Sequence, residues 1–245
     1  MWTLHEGDCL DIMPKLPDKS VDMILCDLPY GTTACKWDVI IPFEPLWEQY
    51  ERLIKNNGAI VLTASQPFTS LLITSNLKLF RYEWVWDKKT HNNFCRCNKE
   101  PLKRHENIVV FSNGDPKYYP QKSIGKPYRT TSNPRCVPGK TSGTPPKPTT
   151  TINSGDRFPI SIQVFTLDKK VHPTQKPVAL FEYLIRTYTK ISDTVLDNCA
   201  GSGTTGVACE NTGRNSILIE REPKYCEIIR KRLSEPQNVR LFDAY

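Results

Sequence analysis

The chain has 245 residues, of which 38% are hydrophobic and 24% are charged, a balance typical of globular proteins with one sizeable core. No apolar run approaches the length of a membrane span, and the opening MWTLHEGDCL lacks the basic-then-apolar pattern of a secretory signal. These features argue against a membrane-spanning or secreted protein, and we expect a cytoplasmic one with no membrane partner.

The net charge of +7 is distributed unevenly along the chain. Residues 84–176 contain 17 lysines and arginines against 6 acidic residues, whereas the rest of the chain contains 16 against 20. A basic block within a slightly acidic chain indicates a polyanionic partner at one face, with a solvated basic surface as the alternative.

Nine cysteines are scattered through the chain, and only Cys95 and Cys97 lie close together. One intervening residue is not a zinc-binding spacing, and several other cysteines lie in apolar patterns, as small buried residues do. We therefore expect reduced thiols and no bound metal.

Residues 1–111 alternate predicted strands and helices, which is typical of a mainly parallel sheet covered by helices. A short strand at Trp2–His5 precedes a buried strand at 20–27, and residues 44–58 predict a helix that stops at Gly58. The pattern then predicts a strand at 59–64, a helix at 68–75 and strands at 81–87 and 106–111.

Residues 112–171 interrupt this alternation. From Asn113 to Ile160, nine prolines, five glycines and eleven serines and threonines occur in 48 residues, with tyrosines and basic residues between them. The stretch 138–151, PGKTSGTPPKPTTT, has the composition of a mobile linker. So long an irregular segment inside a compact domain is usually functional or disordered.

Regular structure resumes in residues 172–245. A helix at 176–189 has one apolar face, formed by Leu180, Phe181, Leu184, Ile185 and Tyr188. It is followed by a strand at 193–199, a helix at 204–213, a strand at 215–220, a helix at 223–235 and a short strand at 238–242.

The buried strand at 20–27 ends in the tetrapeptide Asp27-Leu28-Pro29-Tyr30. Proline has no backbone N–H to donate, so strand pairing stops there, and the tyrosine is left at the end of the strand beside a carboxylate. Taken alone, these four residues predict no more than a surface turn.

A glycine turn follows the strand at 193–199, with Gly201, Gly203 and Gly206 in the spacing G-x-G-x-x-G at the start of a helix. Glu220 ends the next strand, 19 residues after Gly201. This context matches a fingerprint for nucleoside-containing cofactors, in which glycines let the backbone approach the ligand and the acid binds ribose hydroxyls. A phosphate-binding P-loop is excluded, since no Gly-Lys-Ser/Thr follows.

A dinucleotide-binding fold needs more strands after Glu220 than the 25 remaining residues can form. The missing strands must come from the N-terminal half. We therefore predict an α/β fold in which a circularly permuted chain closes a Rossmann-like sheet with helices on both faces. Such a sheet places the Asp27 strand beside the Asp197 strand, at the switch point where ligands bind.

The order of these motifs resembles the permuted, β-type amino-DNA methyltransferases. An acid-x-Pro-Tyr tetrapeptide comes first, then a basic variable region, then HPTQKP at 172–177 and finally the glycine turn. The resemblance covers about three quarters of the chain, all but the central insertion. Leu28 stands where this family usually has proline, and Cys199 stands where it usually has an aromatic residue.

The resemblance implies one methyltransferase domain formed by residues 1–111 and 172–245, with 112–171 as an insertion for target recognition. The methyl group would pass from S-adenosylmethionine to an exocyclic amine in double-stranded DNA. Asp27 and the main-chain carbonyl of Leu28 would accept the amine hydrogens and free the nitrogen lone pair. Pro29 would stiffen the turn, and Tyr30 would stack on a base flipped out of the duplex.

The resemblance also implies cofactor and DNA contacts. Glu220 would hold the ribose, Asp197 the methionine ammonium, and Asp8 would lie near the adenine amine unless it only ends a strand. The other implied cofactor contacts are Cys9, Thr174, Gln175, Lys176, Cys199, Gly201, Gly203, Thr204 and Thr205. The residues expected to contact DNA are Lys88, Lys89, Lys122, Lys126, Arg129 and Arg135.

Adenine N6 is the predicted target, because aspartate at the first tetrapeptide position is associated with adenine in this family, and cytosine N4 is the alternative. A nicotinamide-dependent oxidoreductase with the same glycine turn would leave the tetrapeptide and the basic block unexplained. An inactive DNA-binding module would have no need of Asp27. The recognition site, a cognate restriction enzyme and a homodimer are left open by the sequence.

Overall fold

The computed structural model describes residues 1–33, 35, 38–132, 148–168 and 175–234. The chain divides into two compact units, one formed by 1–119 with 161–245 and a smaller one formed by 120–160. The predicted insertion at 112–171 is broader than the smaller unit, and its role in target recognition stays a prediction. None of the helices in the described ranges is long and apolar enough to cross a lipid bilayer.

Outside residues 112–171, the described strands and helices lie close to the predicted positions, whereas the short strands within 112–171 were not predicted. The strands are β1 (Trp2–Glu6), β2 (Val21–Asp27), β3 (Ile54–Ala64), β4 (Phe80–Asn92), β5 (Lys103–Phe111), β6 (Ser123–Ile124), β7 (Tyr128–Ser132), β8 (Thr149–Asn153), β9 (Asp156–Arg157), β10 (Ile162–Val164), β11 (Thr194–Asp197) and β12 (Asn215–Glu220). The helices are α1 (Cys9–Ile12), α2 (Phe43–Leu53), α3 (Phe68–Ser75), α4 (Val178–Tyr188), α5 (Thr204–Thr212) and α6 (Pro223–Ser234). The predicted strand at 238–242 lies outside the described residues.

The larger unit is built on an eight-stranded sheet in the order β1-β12-β11-β2-β3-β5-β4-β10. Its pairings are parallel except those of β5 with β3 and with β4, so the predicted mainly parallel sheet is confirmed. Ile24 of β2 lies opposite Leu196 of β11, which confirms that the strands ending at Asp27 and Asp197 are neighbours. The circular permutation itself stays a prediction.

Helices cover both faces of this sheet, as predicted, because successive strand residues point to opposite sides. In β2, Ile24 and Cys26 belong to one apolar cluster with residues of α1, α2 and α3. Met23 and Leu25 belong to a second cluster with residues of α4 and α5. Each fully buried aliphatic side chain in these clusters contributes roughly 1.5–3 kcal/mol to folding.

The prediction that the helix after residue 44 stops at Gly58 is wrong. The helix α2 ends at Leu53, and Ile54 has extended backbone and pairs with Val21 of β2. Gly58 instead lies within β3, where an added Cβ would come within 2.8 Å of the Asp22 carbonyl oxygen. Strand pairing therefore overrides the helical pattern from Ile54 onward.

The smaller unit consists of two short antiparallel pairs, β6 with β9 and β7 with β8. Its strand side chains are mostly exposed, and local contacts hold it together: Lys122 pairs with Asp156 at 3.1 Å, and the Arg157 guanidinium lies 4.9 Å from the Tyr128 ring centroid. Most of the predicted linker at 138–151 lies outside the described residues, but its last part belongs to β8.

Candidate active site

A cavity of about 530 Å³ in the larger unit is lined by residues from the carboxyl ends of β2 and β11. Open α/β sheets bind ligands at this position, and the volume is typical of small-molecule sites. The lining includes these predicted catalytic and cofactor residues: Asp8, Cys9, Asp27, Leu28, Pro29, Tyr30, Gln175, Lys176, Asp197, Cys199, Gly201, Thr204 and Glu220. Thr174 lies outside the described residues.

Asp27 is the last residue of β2, and both of its carboxylate oxygens have hydrogen-bond partners. Oδ1 accepts from the Tyr30 hydroxyl at 2.8 Å and from the Thr63 hydroxyl on the neighbouring strand β3. Oδ2 accepts from the Lys176 ammonium at 2.7 Å. These three donors fix the orientation of a partly buried carboxylate at the edge of the cavity.

Tyr30 lies on the cavity wall with its ring stacked on Phe68 of α3, at 5.2 Å between centroids and 25° between planes. The Lys176 ammonium lies 5.4 Å from the centroid of the same ring. Burial, and then the charge of Asp27, raise the pKa of the Tyr30 hydroxyl well above its usual value, so it stays a donor. Its stacking on a flipped base stays a prediction.

The loop after the tetrapeptide is held by Asp38, a residue that the sequence analysis overlooked. Its carboxylate accepts from the backbone N–H groups of Gly31, Thr32 and Thr33 at 2.7–2.9 Å. Burial alone would raise the pKa of Asp38, but a hydrogen bond from the Thr33 side chain and these backbone hydrogen bonds lower it below its usual value. An acid a few residues after a Pro-Tyr-Gly turn is the signal that could have identified it.

Lys176, predicted as a cofactor contact, is buried just before α4 and carries its ammonium into the interior of the site. Besides Asp27, it faces Glu106 of β5, with 3.4 Å between Nζ and Oε2. Burial opposes its charge, but Asp27, Tyr30 and Glu106 outweigh burial and raise the pKa of Lys176 well above its usual value. Lys176 is therefore an ammonium group at neutral pH, and this ammonium donates to the Asp27 carboxylate.

Lys88, predicted as a phosphate contact, is 6% exposed and pairs with Glu106 at 3.1 Å. Its DNA-binding role stays a prediction, and it would require this buried pair to separate. Burial would raise the pKa of Glu106, but Lys176 and Lys88 together hold it below its usual value. The four groups Asp27, Lys176, Glu106 and Lys88 thus form a chain of alternating charge, which we call the charge chain.

The glycine turn is closed by Glu220, the last residue of β12. Its Oε2 accepts from the Gly201 N–H at 2.7 Å and its Oε1 from the Glu222 N–H at 2.9 Å. Burial raises the pKa of Glu220, and these backbone donors oppose the rise. The carboxylate lines the cavity, where the prediction places a ribose.

Gly201 and Gly203 have left-handed backbone, with φ of +51° and +81°, but they serve different surroundings. A Cβ on Gly201 would meet nothing closer than the Cys199 carbonyl oxygen at 4.0 Å, and Gly201 lines the cavity. A Cβ on Gly203 would come within 3.0 Å of Ile229 in α6. Gly201 therefore gives a ligand close access to the backbone, whereas Gly203 gives room to a neighbouring helix.

Asp197 ends β11 beneath the turn and is 3% exposed. Its oxygens accept from the Thr205 hydroxyl at 2.5 Å and from the Cys199 N–H at 3.0 Å. Burial raises the pKa of Asp197 to about 6, against the opposing effect of these donors. Thr205 thus holds Asp197, while Thr204, the first residue of α5, lines the cavity.

Asp8 and three thiols complete this end of the sheet. The Asp8 carboxylate accepts from the Leu10 N–H at 2.8 Å and so caps α1. Cys9 and Cys199 line the cavity as free thiols, and Cys199 and burial raise the pKa of Cys9. Burial raises the pKa of Cys26 to about 12. Within the described ranges, no cluster of histidine, cysteine and acidic side chains has the size of a metal site.

The other predicted DNA contacts that the structure describes lie on the surface. Lys89 is exposed at the end of β4, with φ of +58°. Lys122, Lys126 and Arg129 are exposed in the smaller unit. Arg135 lies outside the described residues.

Comparison with known proteins confirms the predicted family resemblance. A family model described as DNA methylase, of the N6/N4 methyltransferases, matches residues 21–231. The chain is 27% identical to Type II methyltransferase M.HinfI of Haemophilus influenzae, covering 95% of this chain and 68% of that protein. It is 26% identical to Type II methyltransferase M.HpaI of Haemophilus parainfluenzae, covering 95% and 74%.

Solved structures agree with this family. A crystal structure described as an M1.HpyAVI–SAM complex matches with a TM-score of 0.64 and 25% identity, covering 95% of this chain and all of that one. PvuII DNA methyltransferase, described as cytosine-N4-specific, matches with a TM-score of 0.68 over 97% and 87% of the two chains, at 16% identity, and supports the fold alone. Since the family model spans most of the sequence, the chain belongs to the N6/N4 DNA methylase family and is a DNA methyltransferase.

Proposed function

We propose that this DNA methyltransferase transfers a methyl group to the exocyclic N6 of adenine, at a specific site in double-stranded DNA. The observation that carries the proposal is Asp27, an acid held by three donors at the rim of a cavity that also contains the glycine turn. The choice of adenine rests on aspartate as the first residue of the tetrapeptide. Cytosine N4 is the alternative target.

S-adenosylmethionine fits the residues that line the cavity. The volume suits a nucleoside-sized ligand, and Gly201 leaves open space above the turn. The buried Oε1 of Gln175 has no hydrogen-bond partner among the described residues. We propose that Glu220 binds its ribose, and that Asp197 and the turn at Gly201 hold its methionine end. When bound, this cofactor supplies an electrophilic methyl group.

The tetrapeptide prepares the base amine for reaction. An exocyclic amine is a poor nucleophile, because its lone pair is conjugated with the ring. We propose that Asp27 and the carbonyl of Leu28 accept the amine hydrogens, which draws the nitrogen toward a tetrahedral geometry. Pro29 offers no competing N–H. The base must leave the duplex to reach this cavity, and Tyr30 is the aromatic surface for it.

The exposed lysines and arginines of the smaller unit are proposed to contact the DNA backbone. Lys126 and Arg129 have no acidic partner among the ion pairs of the described residues, whereas Lys122 is paired with Asp156. We propose that residues 112–171 select the DNA sequence. The relatives' names, Type II methyltransferase, suggest a DNA-modification role of the restriction–modification kind for this chain too.

Mass spectrometry of nucleosides tests the target directly. DNA from a methylation-free host that expresses the chain should contain N6-methyladenine, and DNA from a host expressing Asp27→Ala should not. Finding N4-methylcytosine in its place would move the target to cytosine. Finding neither, with the wild-type chain folded and bound to S-adenosylmethionine, would overturn the proposed reaction.

A further inference from the structure

Two members of the charge chain, Lys88 and Glu106, occupy positions that the strand pattern assigns to the apolar core. In β4, Trp84, Trp86 and Lys88 alternate onto one face, and all three are buried. In β5, Glu106 lies on the same face as Ile108 and Val110, both members of a buried cluster. An apolar pair would fill these two positions at no electrostatic cost, so stability alone does not explain a buried lysine and glutamate here.

The position of these two residues in the sheet connects them to Asp27. Lys88 and Glu106 both line the cavity, as do Asp27 and Lys176. Trp86 lies opposite Glu106 in the β4–β5 register, so Lys88 follows directly on the paired segment. The Lys88 ammonium lies 5.9 Å from the Trp86 ring centroid, which supports its long stem. Glu106 thereby has one cation on each side, Lys88 at Oε1 and Lys176 at Oε2.

The hydrogen bonds of Asp27 show what this arrangement achieves. Its Oδ1 already accepts from two hydroxyl groups, Tyr30 and Thr63, which use both acceptor positions of that oxygen. Among the described residues, its Oδ2 accepts only from Lys176, so one acceptor position on Oδ2 is left for an incoming N–H. The position of the Lys176 ammonium therefore determines the direction in which the free acceptor position of Asp27 Oδ2 points.

We propose that Glu106, held by Lys88, is a positioning residue that keeps the Lys176 ammonium on Asp27, so that Asp27 is oriented for the base amine. This inference rests on the proposed function, in which Asp27 accepts an amine hydrogen. Glu106 and Lys88 touch neither the base nor the methyl donor in this scheme, and act only through Lys176. Lys176, which was predicted to contact the cofactor, is thereby assigned a role in holding the catalytic acid Asp27.

The test compares Glu106→Gln with Asp87→Asn. Glutamine keeps the shape of Glu106 and removes its charge. Asp87 is adjacent to Lys88 on β4, faces the other side of the strand, and pairs with Arg104 at 2.6 and 2.8 Å outside the cavity lining. Glu106→Gln removes the pairs with Lys88 and Lys176, and Asp87→Asn removes the pair with Arg104. Both variants therefore neutralise one carboxylate on the same two strands, but only Glu106→Gln alters the charge chain.

The first measurement is the titration of Lys176 Nζ by NMR in the protein without ligands. The charged and titratable groups around it are Asp27, Tyr30, Glu106 and, through Glu106, Lys88. Loss of one opposing carboxylate should lower the pKa of Lys176 by roughly one unit or more in Glu106→Gln and leave it unchanged in Asp87→Asn. An unchanged titration in Glu106→Gln would overturn the proposal, and this result does not depend on methyl transfer.

The second measurement is single-turnover methyl transfer as a function of pH. Because misplaced catalytic groups cost up to about 100-fold, Glu106→Gln should slow transfer by roughly 10- to 100-fold while the KM values for DNA and S-adenosylmethionine change little. The alkaline limb of its pH profile should move to lower pH, since Lys176 loses its proton earlier. Glu106→Asp, which keeps the charge, should restore much of the rate.

Two further outcomes separate the inference from the proposed function. Rates and profiles of Glu106→Gln equal to those of Asp87→Asn would overturn the positioning role while leaving the methyltransferase reaction intact. A wild-type chain that methylates no DNA would overturn the proposed reaction, and the NMR titration alone would then decide whether Glu106 holds Lys176. If Glu106→Gln does not fold, Lys88→Met is the alternative variant, because methionine keeps a long side chain against Trp86. It should also slow methyl transfer.

Discussion

The two units of the chain carry their charges in opposite ways. In the larger unit, Lys88, Glu106 and Lys176 are largely buried and mutually paired around Asp27. In the smaller unit, Lys126, between β6 and β7, and Arg129 of β7 are exposed. Buried, paired charges hold a fixed geometry, which a reaction needs. Exposed charges cost little to leave in water and can adjust to a polyanion, which recognition needs.

The comparison predicts that the largest effect on chemistry comes from Asp27. Asp27→Ala removes the acceptor for the base amine, and single-turnover transfer should fall by roughly 10³-fold or more. Binding of S-adenosylmethionine, measured by calorimetry, should change by less than about fivefold, because the acid acts on the base. A variant that keeps near wild-type turnover would contradict the assigned role.

The two glycines of the turn allow a sharper division within the larger unit. Gly201→Ala adds a methyl group at the cavity wall and should weaken S-adenosylmethionine binding by roughly tenfold or more. Gly203→Ala carries similar backbone strain but crowds Ile229, so it should lower the melting temperature more than Gly201→Ala does. Equal losses of affinity and stability in both variants would show that the turn acts as one unit.

The smaller unit should be sensitive to salt rather than to the cofactor. Replacing Lys126 and Arg129 by alanine should flatten the dependence of DNA affinity on salt, by roughly 0.9 log unit per log unit of salt for each phosphate interaction removed. The melting temperature and S-adenosylmethionine affinity should hardly change. Alanine at Lys15 and Lys78, two exposed lysines of the larger unit, is the matched control. An identical salt slope in both double variants would argue against the recognition role.

The smallest expected effect is a pH-dependent change in stability at Asp197. Its pKa of about 6 lies above the usual 3.8, so between these values the folded state binds a proton that the unfolded state has released. Stability from this group therefore rises as pH falls through 6, and ionised Asp197 costs up to about 3 kcal/mol at neutral pH.

Asp197→Asn should remove that cost, at the loss of one hydrogen bond from Thr205 or Cys199. Its melting temperature relative to wild type should increase by a few degrees from about pH 5 to about pH 8. A difference that does not vary with pH would mean that burial does not penalise this carboxylate. The measurement is made without ligand, so that cofactor binding does not contribute.

Much of the fold followed from local patterns. The apolar face of α4 and the buried run of β2 specify elements whose packing the structure confirms. The prediction that β2 lies beside β11 is confirmed. The predicted end of the helix at Gly58 was wrong, because the pairing of Ile54 with Val21 is a long-range contact that helical periodicity does not encode.

The site was predictable in part for the same reason. Residues of the tetrapeptide and the glycine turn belong to contiguous motifs, and the structure places most of them around one cavity. The sequence did not identify Glu106 as a site residue, because its position in the site depends on the register of β5 with β4. The burial of Lys88, in contrast, could have been predicted, since Trp84, Trp86 and Lys88 alternate onto the face that buries both tryptophans.

The pairing of β2 with β11 has a consequence for how the protein folds during synthesis. Val195 of β11 reaches Met23 of β2 only after some 170 intervening residues have left the ribosome. Until then one edge of β2, an almost wholly apolar strand, has no partner, and Asp27 has neither Lys176 nor the glycine turn beside it. Such late, non-local pairing slows folding and leaves an unpaired, aggregation-prone strand edge exposed during synthesis. A nascent or truncated chain without the last third therefore needs protection from aggregation, and it lacks the turn at Gly201 that lines the cavity.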